Sequence, residues 1–501
     1  MRFKLRAMVL FGVGLAGITE AAPLTPSDLP DITLKIAGST IQDNNIDKVL
    51  KGPNGNDGLC VSGTLSTYKD ADIGGQGIFW RAWFCQLDNN RLQGLGQVNP
   101  KLLILKRNRS GAVTGLYPLL EPNKKIQFMG ITNSISPGQC TLTSGSTTAY
   151  TCRTSQVGDL FPDTPDAGML DVDPGLLRDS NFSASIDDQT YREPDPTIVA
   201  ATLNVINAGA VIQNTPVSKN LRDALQAAQI AQGTIASSCL KKETLDCMPS
   251  LSKATLSDLF AGNIAKWTEV LIDVGGKSTP LTEFAQSPLT TDLVHLCRRN
   301  LGASTQAAVN AYFLNNPCTP GARVPVNISN PRIGPVVLAP SQVSLEEICL
   351  DNLSGGRSGV FNPKGNTAFA VGMLTTERNL TLSLDYRYIK IDGFAPTVQE
   401  VYNGNYPYFT EGSYVFRKRA PKPSGDLLTV LNRIANDASS PQVFGALNTS
   451  INQTFGTGAY IATTGQGYPS PTIFDPLNPL TAYTHQPRGS LLDNCRGVIK
   501  Q

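Results

Sequence analysis

The stretch DITLKIAGSTIQDNNID, residues 31–47, decides how the rest of the chain is read. Apolar and polar residues alternate through DITLKIA, the two-residue period of a strand. At Ala37-Gly38-Ser39-Thr40 the alternation gives way to small and hydroxylated residues, and GSTIQDNNID turns toward a helix start. A strand that ends in Gly, Ser and Thr and hands over to a helix offers free backbone N–H groups and hydroxyls at a helix N-terminus, where an anion is stabilised. In open α/β sheets the ligand crevice also lies beyond the carboxyl ends of the strands. Two further junctions share this design: Arg109-Ser110-Gly111-Ala112 after the strand LLILKR (102–107), and Gly302-Ala303-Ser304-Thr305 after LVHLCRR (293–299). Any one of them also serves as an ordinary helix N-cap. Three in one chain carry more weight.

Outward from these junctions, strands and helices alternate. DAGML (166–170) reads as a short strand ending at Asp171, and ATLNVINAGAVIQN (201–214) as a long β-rich run. AFAVGML (368–374) and YRYIKIDG (386–393) are strand-like, and NRSGAVTG is a polar turn. Helical spacing runs through Asn220–Gln232, AAVNAYFL (307–314) and Leu427–Ala438. Another helix opens over Thr255–Phe260, with Thr255 as its expected N-cap. The alternation predicts an α/β class with largely parallel sheets.

Composition bounds the function. The 501 residues carry 42 Lys and Arg against 40 Asp and Glu, so the net charge of +2 gives no reason to expect nucleic acid or an anionic membrane as partner. Arg2, Lys4 and Arg6 precede a short apolar run, Ala7–Gly17, and a small-residue cleavage site at Thr19-Glu20-Ala21: a secretory signal peptide. No Cys stands at that site, so a lipid anchor is not expected, and no later segment reads as a membrane span. Ten cysteines follow, an even number that predicts five disulfides in an oxidising compartment. They fall in local order as Cys60 and Cys85, Cys140 and Cys152, Cys239 and Cys247, Cys297 and Cys318, then Cys349 and Cys495, though spacing alone does not fix connectivity. There is no CxxC, and the two histidines, His295 and His485, are far apart, so no metal site is expected. The nucleophile elbow G-x-S-x-G is absent as well, so the chain is not expected to be an enzyme.

One segment, LSDLFAGNIAKW (256–267), resembles a signature of PstS-like phosphate-binding proteins, and four others fall in the same family order: AGST (37–40), DAGMLDVDP (166–174), CRRNLGAST (297–305) and IDGFAPTVQEVYNGNYPYFTEGSYVF (391–416). The resemblance implies a two-lobed type II periplasmic-binding-protein fold. A signal peptide over 1–21 would precede lobe 1, made of 22–200 and 367–501, with 201–366 as lobe 2. Extra length at about 50–100 and 120–160 implies disulfide-stapled surface insertions carrying Cys60, Cys85, Cys140 and Cys152.

The resemblance also implies a ligand set: Ser39, Thr40, Ser110, Gly111, Asp171, Arg299, Gly302, Ser304 and Thr305, holding phosphate or another small oxyanion with no cofactor and no metal. Arg299 is preferred to Arg298 because it is nearer the loop, and on a helix end the two point about 100° apart. A buried Asp171 would accept a hydrogen bond from a protonated oxyanion and repel a fully ionised one, favouring phosphate over sulfate. Two departures stand out: the third loop is Gly302-Ala303-Ser304-Thr305, without the family's Ser-Gly-Thr, and Met169 and Leu170 precede the Asp. The expected protein is a monomeric periplasmic or secreted solute-binding protein, serving an ABC importer's permease. The alternative is a secreted or cell-surface protein that keeps the lobes for adhesion or a matrix, without transport.

Overall fold

The computed structural model describes residues 21–53, 55, 57–71, 78–326 and 334–501. The signal-peptide reading falls on residues that, up to Glu20, lie outside the described ones.

The chain builds one sheet, leaves it for a second, and returns. The first eight strands of the large sheet are β1 (Ile32–Gly38), β2 (Ser66–Asp70), β3 (Trp80–Gln86), β4 (Lys101–Arg107), β5 (Cys140–Leu142), β6 (Ala149–Cys152), β7 (Ala167–Leu170) and β8 (Leu203–Asn214). Five short strands form the second sheet: β9 (Val217–Ser218), β10 (His295–Cys297), β11 (Val336–Leu338), β12 (Ala370–Val371) and β13 (Tyr386–Arg387). Then β14 (Phe409–Arg417), β15 (Tyr460–Thr463) and β16 (Leu480–Thr481) rejoin the first. The large sheet runs β16-β15-β8-β14-β7-β1-β4-β3-β2-β6-β5 and the small one β11-β10-β12-β9-β13. The change of sheet falls at Thr215-Pro216. Leu374–Thr375 pairs back onto the end of β8 before the chain enters β13.

The strands at the centre of the large sheet are buried on both faces. Leu102 and Ile104 of β4 pack with Leu34 and Ile36 of β1, while Leu103 and Leu105 pack on the opposite face with Ala37, Leu116 and Phe128. This is why LLIL reads as a continuous apolar run. Ten helices bear on the sheets and the cleft among the described residues: α1 (Asp43–Lys51), α2 (Val113–Leu120), α3 (Pro196–Thr202), α4 (Lys219–Ala231), α5 (Lys253–Ala261), α6 (Ser304–Leu314), α7 (Val343–Gly355), α8 (Val398–Asn403), α9 (Gly425–Ala438) and α10 (Pro441–Asn448). Helix α2 packs tightly on β7. A Cβ on Gly168 would stand 1.8 Å from the Gly115 carbonyl oxygen, so this approach requires glycine. Two sheets with helices and a cleft between them form the α/β arrangement that the resemblance implies.

Several expectations are corrected. The large sheet is mixed: β1 is parallel to β4 and β7, but β14 is antiparallel to β7 and β8, and β3 to β2 and β4. Neighbours joined by a short turn, and the returning C-terminal strand, pair antiparallel, whereas parallel pairing needs a crossover. The extra segments at 50–100 and 120–160 are not surface attachments: β2, β3, β5 and β6 extend the sheet itself, and Cys85 and Cys152 are buried. NRSGAVTG is not wholly a turn, because α2 begins at Val113. Helix α5 starts earlier than read. Its cap is Ser252, whose side chain accepts the Thr255 N–H at 3.0 Å, so Thr255 lies inside the first turn.

The five disulfides are Cys60–Cys85, Cys140–Cys152, Cys239–Cys247, Cys297–Cys349 and Cys318–Cys495, with no free cysteine among the described residues. Local order holds for the first three and fails for the last two. Cys297 ends β10, and Cys349 lies on α7, which packs against that strand. Cys318 follows α6 and meets the C-terminal tail, which Asn494 fastens to the large-sheet body: its N–H donates to Asp173 at 2.9 Å and its side chain to the Glu411 carbonyl at 2.9 Å.

Candidate functional site

Three mutually parallel strands, β7, β1 and β4, are neighbours, so their carboxyl ends open at one edge of the large sheet. Asp171 follows β7, Ser39 and Thr40 follow β1, and Asn108 follows β4. The small sheet faces this edge with Arg299, just beyond β10, and with the N-terminus of α6. All of these residues line one narrow cavity of about 40 Å³, together with Gly111, Ser304 and Thr305. At about 10–15 Å³ per water this is room for on the order of three waters.

The two walls touch through hydroxyls. Ser39 Oγ lies 3.1 Å from Ser304 Oγ, and the Asp171 N–H donates to Ser304 Oγ at 3.3 Å. The Ser39 N–H donates to the Met169 carbonyl at 2.8 Å, which holds the loop over β7. Gly38 makes this turn possible: its φ is +120°, and a Cβ there would stand 2.0 Å from the Met169 oxygen. Across the cleft, α6 starts with Ala303 at its N-cap and no side-chain cap. The first-turn N–H groups of α6 therefore keep the donor capacity and partial positive charge that a capping side chain would otherwise take up.

The charges are buried and close to balanced. Burial pushes the Asp171 carboxyl up to about 7, against the pull of the Ser39 hydroxyl and the Lys106 charge. Its Oδ1 is buried without a hydrogen-bond partner, as are Thr305 Oγ1 and Arg299 Nε. Arg299 donates from Nη2 to the Ser341 carbonyl at 3.1 Å and faces the charge of Glu346, whose carboxyl burial holds well above its usual range. Arg298 turns the other way, onto the Val326 carbonyl, so of the two arginines only Arg299 reaches the cavity.

Of the residues singled out in the sequence, Ser39, Thr40, Gly111, Asp171, Arg299, Ser304 and Thr305 come together here, with Thr40 exposed at the mouth. Ser110 does not line the cavity; it sits half-buried in the turn with φ +70°. Gly302 lies behind it, its carbonyl accepting the Val113 N–H at 3.3 Å as part of the seam between the walls. Sequence reasoning missed Lys106, Asn108, Asp43 and Glu377. Lys106 is fully buried and donates to the Gly38 and Ser39 carbonyls at 3.2 and 2.8 Å and to Asn108 Oδ1, with Asp43 Oδ1 at 3.5 Å. Asn108 in turn donates to Asp43 Oδ2 at 2.7 Å. The available signal was a Lys and an Asn at alternate positions of the carboxyl end of a buried apolar strand, since a buried polar group is the informative exception.

No protein-family profile matches this chain. No curated protein matches it either. Among solved structures it is similar to a phosphate ABC transporter substrate-binding protein from Clostridium perfringens with bound phosphate, at 10% identity and a TM-score of 0.38, covering 84% of this chain and 98% of that one. An ABC-type phosphate transport receptor from Vibrio cholerae matches at 10% identity and a TM-score of 0.34, covering 80% and 93%. PstS from Borrelia burgdorferi matches at 8% identity and a TM-score of 0.34, covering 84% and 97%. What the cavity can hold follows from its own residues.

Proposed function

We propose that this chain is a solute-binding protein that captures a small oxyanion, phosphate first among them, between its two walls. The observation that carries the reading is the convergence of Ser39, Thr40, Asp171, Arg299, Ser304 and Thr305, from both sheets, on one cavity with unpartnered buried donors. The hydroxyls of Ser39, Thr40, Ser304 and Thr305 and the first-turn N–H groups of α6 donate to the oxyanion oxygens. Arg299 adds charge-assisted bonds. Asp171 accepts from a protonated oxygen when ionised, so a fully deprotonated anion is disfavoured. Lys106 positions the first loop from behind the cavity, and Asn108, which lines the cavity, is itself fixed by Asp43. The five disulfides suit the oxidising compartment, periplasmic or extracellular, in which such a protein works. An ABC importer's permease is the partner this reading implies.

A thermal-shift screen of phosphate, arsenate, sulfate and nitrate on the refolded mature chain tests it. At 100 times Kd a bound anion stabilises by about 2.7 kcal/mol, which a melting curve resolves. Phosphate should raise the melting temperature most and sulfate least at pH 8. No shift with any oxyanion rejects the reading.

A further inference from the structure

The oxyanion cavity is not closed off from the rest of the cleft. A second, larger chamber of about 350 Å³ continues from it, and Thr40, Asn108, Gln342 and Glu377 line both. The walls are already in contact at the inner cavity, with Ser39 and Ser304 3.1 Å apart. A receptor for a bare five-atom anion gains from engulfing it and leaving no adjoining space. Here roughly nine times the inner volume stays open beside the anion position.

The chamber's chemistry is polar and mixed in sign. Arg81 lines it with its Nε 3.2 Å from Asp43, and Asn44 stands exposed at its rim. At the junction of the two spaces, Glu377 accepts the Thr375 hydroxyl at 2.8 Å through one oxygen, while its other oxygen, Oε2, is buried without a hydrogen-bond partner. Next to it, Arg378 is held by Glu347 through Nη2, and its Nε is unpartnered too. An acceptor and a donor side by side, both unsatisfied, match hydroxyl groups, which supply both functions at once. The chamber offers no stacking platform: Tyr460, the one aromatic lining it among the described residues, is fully buried, stacked on Phe444 at 5.6 Å, and donates its hydroxyl to the Ile41 carbonyl. A nucleobase therefore has no ring to pack on.

We propose that the ligand is a phosphomonoester of a polyhydroxylated compound, its phosphoryl group in the inner cavity and its hydroxylated tail in the outer chamber against Glu377, Arg378 and Arg81. This rests on the oxyanion reading and narrows it. The bridging ester oxygen passes the junction, and the tail hydroxyls take up the two unsatisfied groups there.

Calorimetric titration of the mature chain at about pH 6, where a phosphomonoester still carries a proton to offer Asp171, with inorganic phosphate, glycerol 3-phosphate, glucose 6-phosphate and glucose tests the inference. Glucose 6-phosphate should bind at least about tenfold tighter than inorganic phosphate, with glycerol 3-phosphate between them and no binding of glucose. Asn44→Trp, which narrows the chamber from its exposed rim, should bring the ratio of sugar phosphate to phosphate affinity close to one. Inorganic phosphate binding as tightly as both esters overturns the inference and leaves the oxyanion reading standing. If the wild type prefers the ester but the preference survives in Asn44→Trp, the outer chamber is not its origin and the proposal fails. If no phosphate-bearing compound binds at all, the oxyanion reading itself falls.

Discussion

The two walls of the cavity provide hydroxyls by different physical means. On the large-sheet side, the Gly38-Ser39-Thr40 loop is held by a glycine at φ +120° and a fully buried ammonium, Lys106, which ties down two loop carbonyls and pairs with Asp43. On the small-sheet side, Ser304 and Thr305 open an uncapped helix whose dipole and free N–H groups come with the secondary structure. The hydroxyls of the first wall are held by buried charge and depend on each partner. Those of the second come with backbone geometry and tolerate change. Substitutions should therefore damage the first wall mostly through folding and the second mostly through affinity.

The largest effect expected is Lys106→Met. It removes one of the two cations at Asp43, Arg81 remaining with its Nε at 3.2 Å, and it unties the Gly38 and Ser39 carbonyls, two charge-assisted bonds worth about 1.5–3 kcal/mol each. Denaturant unfolding should show a midpoint shifted down accordingly; a shift within error would mean that the loop is held by other contacts. Second comes Arg299→Ala, which removes a charge-assisted contact worth about 1.5–3 kcal/mol, or about 10- to 150-fold in phosphate Kd. An unchanged Kd by calorimetry would remove Arg299 from the site.

Asp171→Asn is next, and its signature is pH dependence. The carboxyl sits at about 7 in the fold against an ordinary 3.8, so the folded chain keeps a proton that the unfolded chain releases between those values. Its contribution to stability is therefore complete below about pH 4, falls as pH rises toward 7, and stays low above that. Asp171→Asn should flatten part of the stability profile between pH 4 and 7, leaving the part due to Asp173, which burial pushes up to about 6, and to Asp70, Asp166, Glu346 and Glu377, which burial also raises. In the wild type, rejection of sulfate relative to phosphate should sharpen as pH rises through 7 and the carboxyl ionises, and the variant should lose that trend. The smallest effect expected is Ala303→Ser. A capping hydroxyl would stabilise α6 by about 1 kcal/mol while competing for the N–H groups offered to the anion, so phosphate Kd should rise about fivefold, under 1.4 kcal/mol. A gain in affinity would contradict the role assigned to the uncapped helix.

The same contrast separates what was legible in the sequence from what was not. The strand-end junctions at 37–40 and 302–305 could be read, because Gly, Ser and Thr after an apolar run have a local cause, and Asp171 and Arg299 lie within a few residues of such ends. Lys106 and Asn108 were missed because their meaning depends on β1 and Asp43, which lie more than 50 residues away. The antiparallel entry of β14 was hidden for a similar reason: FTEGSYVF reads as a strand, but its direction in the sheet is set by where the chain returns from. The pairing of Cys318 with Cys495 spans 177 residues and follows from the tail's docking at Asp173 and Glu411, which no spacing rule reveals. Ser110 had the right composition and the wrong place, since its turn carries it past the cavity edge.

Whether an oxyanion sits between the two walls at this cavity can be seen in a crystal structure of the protein grown with arsenate, located by the anomalous signal of arsenic. One strong peak is expected between Ser39, Ser304 and Arg299, with its oxygens within hydrogen-bond distance of all three and of Asp171. A bound arsenate elsewhere with this cavity empty, or no ordered arsenate at saturating concentration, would contradict it and favour the adhesion or matrix reading.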